Sequence, residues 1–146
     1  MRRALFAVTV VALALLVLAP AAMSRESAAA TLTVKSSSYG RVLFDGRGYV
    51  LYAFTRDASG RSACYGACAK AWPVYFSKGG LKAGKGVNRS LLGTTKRRDG
   101  RRQVTYAGRP LYYYVNDRKP GQILCQNVAE FGGTWLVVRP SGRLVR

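Results

Sequence analysis

The chain has 146 residues, with 24 lysines and arginines against six acids and no histidine, giving a formal net charge of +18. The missing histidine excludes His-ligated metal sites, Ser-His and Cys-His nucleophile pairs and CxxCH haem attachment. The positive charge favours solubility and attraction to polyanions, so it bears on partners and association rate rather than on fold.

Residues 1–30 read as a secretory signal peptide. Arg2 and Arg3 form a basic start, Ala4 to Ala19 is an apolar run, and small-residue cleavage patterns follow at Ala19-Pro20-Ala21 and Ala28-Ala29-Ala30. The run is shorter than the ~20 residues a membrane-spanning helix needs, so no transmembrane segment is expected in the mature chain. The first cysteine is Cys64, far from either cleavage pattern, which leaves no mature N-terminal cysteine for a lipid. Residues 31–146 are then one exported, extracytoplasmic domain, secreted or in the cell envelope, with one shared core. Losing Arg2, Arg3, Arg25 and Glu26 removes three positive charges and one negative, which leaves about +16.

Thr31 to Ser38 alternates Leu32 and Val34 with polar neighbours and reads as an opening strand or linker. Gly40 to Phe44, the turn Asp45-Gly46-Arg47-Gly48 and Tyr49 to Phe54 predict a hairpin. Lys78 to Asn88, rich in glycine and lysine, reads as a mobile loop. A second hairpin is expected from Gln103 to Tyr106 through Ala107-Gly108-Arg109-Pro110 to Leu111–Val115. The returning strands carry one pattern twice, Leu51-Tyr-Ala-Phe-Thr-Arg-Asp57 and Leu111-Tyr-Tyr-Tyr-Val-Asn-Asp117. A cysteine and then a tryptophan follow each copy, Cys64 and Trp72 in the first, Cys125 and Trp135 in the second. The units, about 40–76 and 100–139, are thus duplicates. Gly66 to Trp72 predicts a short helix stopped by Pro73, and Gly132 to Arg139 a closing strand. The fold expected is a compact, mainly β, antiparallel domain of two related hairpin repeats, with a short helix near Cys68 and Trp72 and Trp135 packed between the halves.

Alternation places Tyr52 with Phe54, and Tyr112 with Tyr114, on core-facing rows with hydroxyls at the rim. A stacking site for sugars or other planar ligands is the functional alternative for these rings. Asp57 and Asp117 read as acceptors for backbone N–H groups of the turns that follow. A hydrolase would instead need both carboxylates in one cleft. Three cysteines allow one internal disulfide, Cys64 with Cys68 or Cys125 with one of these. Convergence of all three would instead give a thiol-exchange centre or a soft site for copper or zinc. Lys96, Arg97, Arg98, Arg101 and Arg102 cluster at a predicted hairpin tip and form a candidate anion-binding patch.

The aromatic-acid motifs, the segment Ser62 to Pro73, Gly100 to Gln103, Gly108-x-Pro110-Leu-Tyr112 and Phe131-Gly-Gly-Thr-Trp135 together resemble the bacterial secreted-repeat lipoproteins defined by a Yx(FWY)xxD motif. The resemblance runs from about Gly40 to Ser141 and implies a secreted or envelope-associated domain, with no established molecular activity. The chain departs from those relatives that carry a lipid-bearing cysteine. The expected function is a non-enzymatic module, binding or structural, needing no cofactor and drawn to anionic envelope polymers or acidic lipid headgroups. Export makes nucleic acid an unphysiological partner. The alternative is a cysteine-based redox or soft-metal protein.

Overall fold

The computed structural model describes residues 30–146, so the signal-peptide reading falls outside the described residues except at Ala30. In chain order the elements are β1 (Ala30–Ser37), β2 (Gly40–Asp45), β3 (Tyr52–Phe54), α1 (Ala67–Ala71), β4 (Leu81–Ala83), β5 (Leu92–Lys96), β6 (Arg102–Tyr106), β7 (Arg109–Pro110), β8 (Val128–Glu130) and β9 (Gly133–Val137), with a 3-10 turn at Arg89–Leu91. They form three small sheets in the orders β2-β1-β4, β3-β9-β8 and β5-β6-β7. The protein is mainly β with one short helix, as its sequence predicts.

Alternating side chains on β2 and β3 feed two apolar layers. Val42, Phe44, Tyr52 and Phe54 enter one layer with Trp72, Tyr112 and Trp135. Leu43, Leu51 and Ala53 enter the other with Tyr106, Leu111 and Val138. A strand covered on both faces needs a near-continuous apolar run rather than an apolar-polar alternation. Val42-Leu-Phe44 and Val50 to Phe54 are such runs, all buried.

The first predicted hairpin is only partly formed. Asp45 accepts the N–H groups of Arg47 and Tyr49, each at 2.9 Å, and Phe44 bridges Val50. Beyond Leu51, whose N–H donates to the Leu43 carbonyl at 3.1 Å, the chain leaves β2, which pairs along its length with β1 from Leu32↔Asp45 to Ser37↔Gly40. β3 pairs instead with β9, Tyr52↔Val137 to Phe54↔Trp135. Local turn chemistry signalled the reversal correctly, but the partner of the returning strand is decided by long-range burial. The second hairpin is also only partly formed: β6 pairs with β7 inside the expected turn, Thr105↔Pro110 and Tyr106↔Arg109, the Leu111 N–H reaches the Val104 carbonyl at 3.0 Å, and beyond it Tyr112 bridges Tyr52 and Val74 instead of β6.

Residues 78–88 are not a free loop. They contain β4, parallel to β1, and the backbone N–H of Gly84 donates to the Leu32 carbonyl at 2.7 Å. A Cβ at Gly84 would lie 2.6 Å from that same oxygen, so glycine permits this close approach. Lys82 lies on β4, the edge strand of its sheet, a usual position for charge.

The two halves meet through residues that are counterparts. The N–H of Tyr52 donates to the Tyr112 carbonyl and the N–H of Tyr112 to the Tyr52 carbonyl, both at 2.9 Å. Two equivalent residues exchanging both bonds mark a local two-fold relation between repeats. Trp72 and Trp135 obey it too, stacking at 3.9 Å with an interplanar angle of 2°.

Candidate functional site

The motif aromatics build one stack across that local axis. Phe54 stacks on Trp135 at 4.2 Å, Trp135 on Trp72, and Trp72 on Tyr114 at 4.8 Å, so each motif's second aromatic covers the other repeat's tryptophan. Tyr52 and Tyr112 meet their own repeat's tryptophan edge-on, at 5.3 and 5.1 Å. Tyr52, Phe54, Tyr112 and both tryptophans are buried, and Tyr114 is half-buried. Such packing leaves these faces to one another rather than to a planar ligand. Trp72 Nε1 donates to Glu130 Oε2 at 2.8 Å, whereas Trp135 Nε1 has no partner among the described residues.

The Tyr114 hydroxyl reaches the rim, where it accepts from Asn116 Nδ2 at 3.0 Å, but those of Tyr52 and Tyr112 do not. Tyr52 Oη donates to Asp117 Oδ2, and Tyr112 Oη to Asp57 Oδ2, each at 2.7 Å. Each carboxylate also accepts one backbone N–H, Ala63 to Asp57 at 2.7 Å and Leu124 to Asp117 at 3.0 Å. The acids therefore close the following loops and also bind the opposite repeat. Burial raises the pKa of Asp57 to about 6, against the lowering by the Ala63 N–H, the Tyr112 hydroxyl and the nearby Arg97 charge. Asp117 is raised too, by burial first, with Tyr52 and Leu124 opposing. Burial followed by Asp117 holds the Tyr52 phenol well above its usual range, and burial followed by Asp57 does the same to Tyr112. Both tyrosines therefore stay neutral donors.

Arg97, expected at the exposed tip, is buried. Its guanidinium donates to Ser62 Oγ, Gln103 Oε1 and the Cys64 carbonyl, all at 2.7 Å, and lies 4.2 Å from the Tyr65 ring centroid. Ser62 Oγ accepts from Arg97 and the Cys64 N–H and lies 2.8 Å from Tyr112 Oη, which joins Arg97 to the Tyr112–Asp57 pair. Gln103 is pinned in turn by donating to the Leu111 carbonyl at 2.9 Å. An inward guanidinium that spends Nη1 and Nη2 on three buried acceptors, with Nε buried and without a partner among the described residues, cannot serve a surface anion, so Arg97 leaves the candidate patch. Arg101 is held by Asp99 at 2.7 Å and covers Phe76, while Arg102 donates to Thr94 Oγ1. Lys96, Arg98, Arg101 and Arg102 remain exposed at the β5–β6 tip.

Cys64 and Cys68 are joined in a disulfide with Cα atoms 5.3 Å apart. Gly66 between them, at φ 56, lets the chain reverse before α1 begins. Cys125 is free and half-buried. Burial pushes its thiol pKa up, a hydrogen bond from Tyr114 opposes this, and the charges of Asp117 and Glu130 add to it. Among the described residues no group of three or more acids and cysteines could hold a metal ion.

A cleft of about 550 Å³ lies elsewhere, lined by Arg109, Arg139, Ser141, Arg143, Leu144 and Arg146. No acidic side chain among the described residues lines it. The sequence signal was available in part, since Arg139-Pro-Ser-Gly-Arg143 is a turn that sets its two arginines opposite each other. The arrival of Arg109 from β7 has no sequence signal. A smaller cavity of about 130 Å³ lies beside Asp57 and Arg109. A third, of about 400 Å³, is lined by Phe54, Arg56, Tyr65, Cys68 and Phe131 among others.

A family model described as a secreted repeat of unknown function matches two stretches, residues 33–75 and 93–139. Together they cover more than half of the chain, and the protein belongs to this family. Each match starts in the strand before the glycine turn, so one repeat spans β1 to Tyr75 and the other starts in β5 and ends just after β9. Each carries one tyrosine-acid motif, and the crossed hydrogen bonds are therefore bonds between repeats. No curated protein and no solved structure matches the chain. No helix among the described residues is long and apolar enough to cross a membrane.

Proposed function

We propose that this secreted-repeat domain is a non-enzymatic module of the cell envelope or extracellular space that binds anionic polymers. One observation carries the reading: the acids of the folded domain are committed to internal partners. Asp45 takes Arg47 and Tyr113, Asp57 takes Tyr112, Asp99 takes Arg101, Asp117 takes Tyr52, and Glu130 takes Trp72. Over residues 30–146 there are 21 lysines and arginines against these five acids. A folded surface with so little internal compensation creates a positive field that draws and holds polyanions.

The same commitments argue against catalysis. Asp57 and Asp117 each hold a tyrosine and a backbone N–H, which occupies the oxygens a general acid or base would use. The soft-metal alternative needs three thiolates, and the Cys64–Cys68 bond occupies two of the sulfurs.

The test is retention of the purified domain on a phosphate-bearing wall polymer and on a neutral glucan over a salt series. Retention on the anionic polymer alone, falling steeply with added salt, is the expected result. Equal retention on both, or retention unchanged by salt, would refute the proposal.

A further inference from the structure

Four arginines share one cleft of about 550 Å³, and the backbone around it is fixed rather than loose. Val138 bridges Leu144, and the N–H of Arg139 donates to the Arg143 carbonyl at 2.8 Å, so the two arginines face each other across a hairpin. The turn is closed by the Gly142 N–H to the Arg139 carbonyl at 2.9 Å and held from below by Tyr106 Oη to the Pro140 carbonyl at 2.7 Å. Gly142, at φ 81, seats directly on Ala107, where a Cβ would collide. Arg109 is fixed to the same turn by its Nε donating to the Gly142 carbonyl at 3.2 Å.

Like charges placed directly opposite on paired strands are destabilising, and two further guanidinium groups add to the repulsion. No acidic side chain among the described residues lines the cleft to relieve it, so the arrangement favours an anion from outside. Arginine forks match the oxygens of phosphate and carboxylate, and more than one fork can share the several oxygens of a phosphate. Sugar recognition needs acceptors for hydroxyls or an open aromatic face, and the cleft offers only Ser141 and Leu144 beside its arginines. We infer that the cleft formed by Arg109, Arg139, Arg143 and Arg146 binds neighbouring phosphate groups of a polyanion. This deepens the anionic-polymer reading and rests on it, by naming one site and one ligand chemistry.

The experiment compares two double variants of equal charge loss in the whole domain. Arg139→Gln with Arg143→Gln alters the cleft, and Arg98→Gln with Arg102→Gln alters the hairpin tip. Binding of tripolyphosphate and of trigalacturonate is measured by calorimetry at physiological salt. The cleft variant should lose about tenfold or more in tripolyphosphate affinity and the tip variant no more than about threefold, with trigalacturonate bound more weakly than tripolyphosphate throughout. Arg146→Gln alone should give a smaller loss in the same direction, which guards against a folding defect in the double variant. Equal losses in the two double variants would overturn the cleft as the site, and equal binding of the two ligands would overturn phosphate as its chemistry. If the unaltered domain is retained on wall polymer and these outcomes occur, this inference alone fails. If it is retained on no polyanion, the broader reading fails with it.

Discussion

Tyr52 donates its hydroxyl to Asp117 at 2.7 Å, across 65 residues of sequence and from one repeat to the other. The motif spaces its tyrosine and acid five residues apart, yet neither tyrosine bonds the acid of its own copy. Tyr112 and Asp57 complete the exchange, and the backbones of Tyr52 and Tyr112 pair directly between them. The motif is therefore a device for joining two copies of itself. A single repeat would leave its tyrosine hydroxyl without this acceptor and its acid with the backbone N–H alone, a loss of about 1 to 3 kcal/mol.

Double-mutant cycles test the exchange. Tyr52→Phe and Asp117→Asn should each destabilise the domain by about 1 to 2 kcal/mol and show a coupling energy on the order of 1 kcal/mol. Tyr52→Phe combined with Asp57→Asn should be additive to within about 0.5 kcal/mol, because those groups share no bond. Urea denaturation of the six proteins in the two cycles measures both quantities. Coupling within a repeat but not between repeats would contradict the crossed arrangement.

Much of this was legible in the sequence, and the reasons for the misses are physical. The duplication, the helix before Pro73 and the closing strand all rest on local signals such as turn glycines and alternation. The pairing of β3 with β9 rather than β2 is not local, since Val50 to Phe54 is apolar on both faces and can pair on either side. Periodicity also shows that Tyr52 points into the core but not which acid waits there. Arg97 was misplaced for a related reason. A charge in a basic run is exposed by default, and only the three acceptors supplied by Ser62, Gln103 and the Cys64 carbonyl make its burial tolerable.

Arg97 and its neighbours in the run should therefore behave oppositely. Arg97→Ala leaves those acceptors buried and unpaired and should cost about 3 kcal/mol or more. Arg97→Lys keeps the charge but not the planar fork and should recover only part of this. Gln at Lys96, Arg98 or Arg102 should change stability by less than about 0.5 kcal/mol, as exposed sites do. Thermal melts of the five variants decide the matter, and equal tolerance at position 97 would show that it is not a structural centre.

The pH dependence of stability follows from the raised pKa of Asp57. Burial makes the folded state bind this proton more tightly than the unfolded chain, whose carboxyl has an ordinary value near 3.8. Between that value and about 6 the folded state carries more protons, so the contribution of Asp57 falls as pH rises through the window. The stabilisation is full below pH ~4 and gone above pH ~6. The difference in melting temperature between the natural protein and Asp57→Asn should therefore be most favourable to the natural protein near pH 4 and shift against it towards pH 7. A difference constant across that range would mean that Asp57 titrates normally.

The cysteines give the last prediction. With Cys64 bonded to Cys68, Cys125 is the one thiol of the described residues open to titration. Its raised pKa leaves little thiolate at neutral pH, so alkylation should be slow in the folded protein and speed up on unfolding. The Cys64–Cys68 loop is short, and in the chain-entropy picture closing so few residues stabilises by only about 2 kcal/mol. The pair Cys64→Ala and Cys68→Ala should therefore still fold, with a lowered melting temperature and one thiol that reacts as before. Cys125→Ser should keep the disulfide and lose the slow thiol. Peptide mapping after alkylation without reductant reads all three outcomes. A disulfide that includes Cys125, or fast reaction at Cys125 in the folded state, would contradict the arrangement, because a half-buried thiol beside Tyr114, Asp117 and Glu130 is disfavoured as the anion.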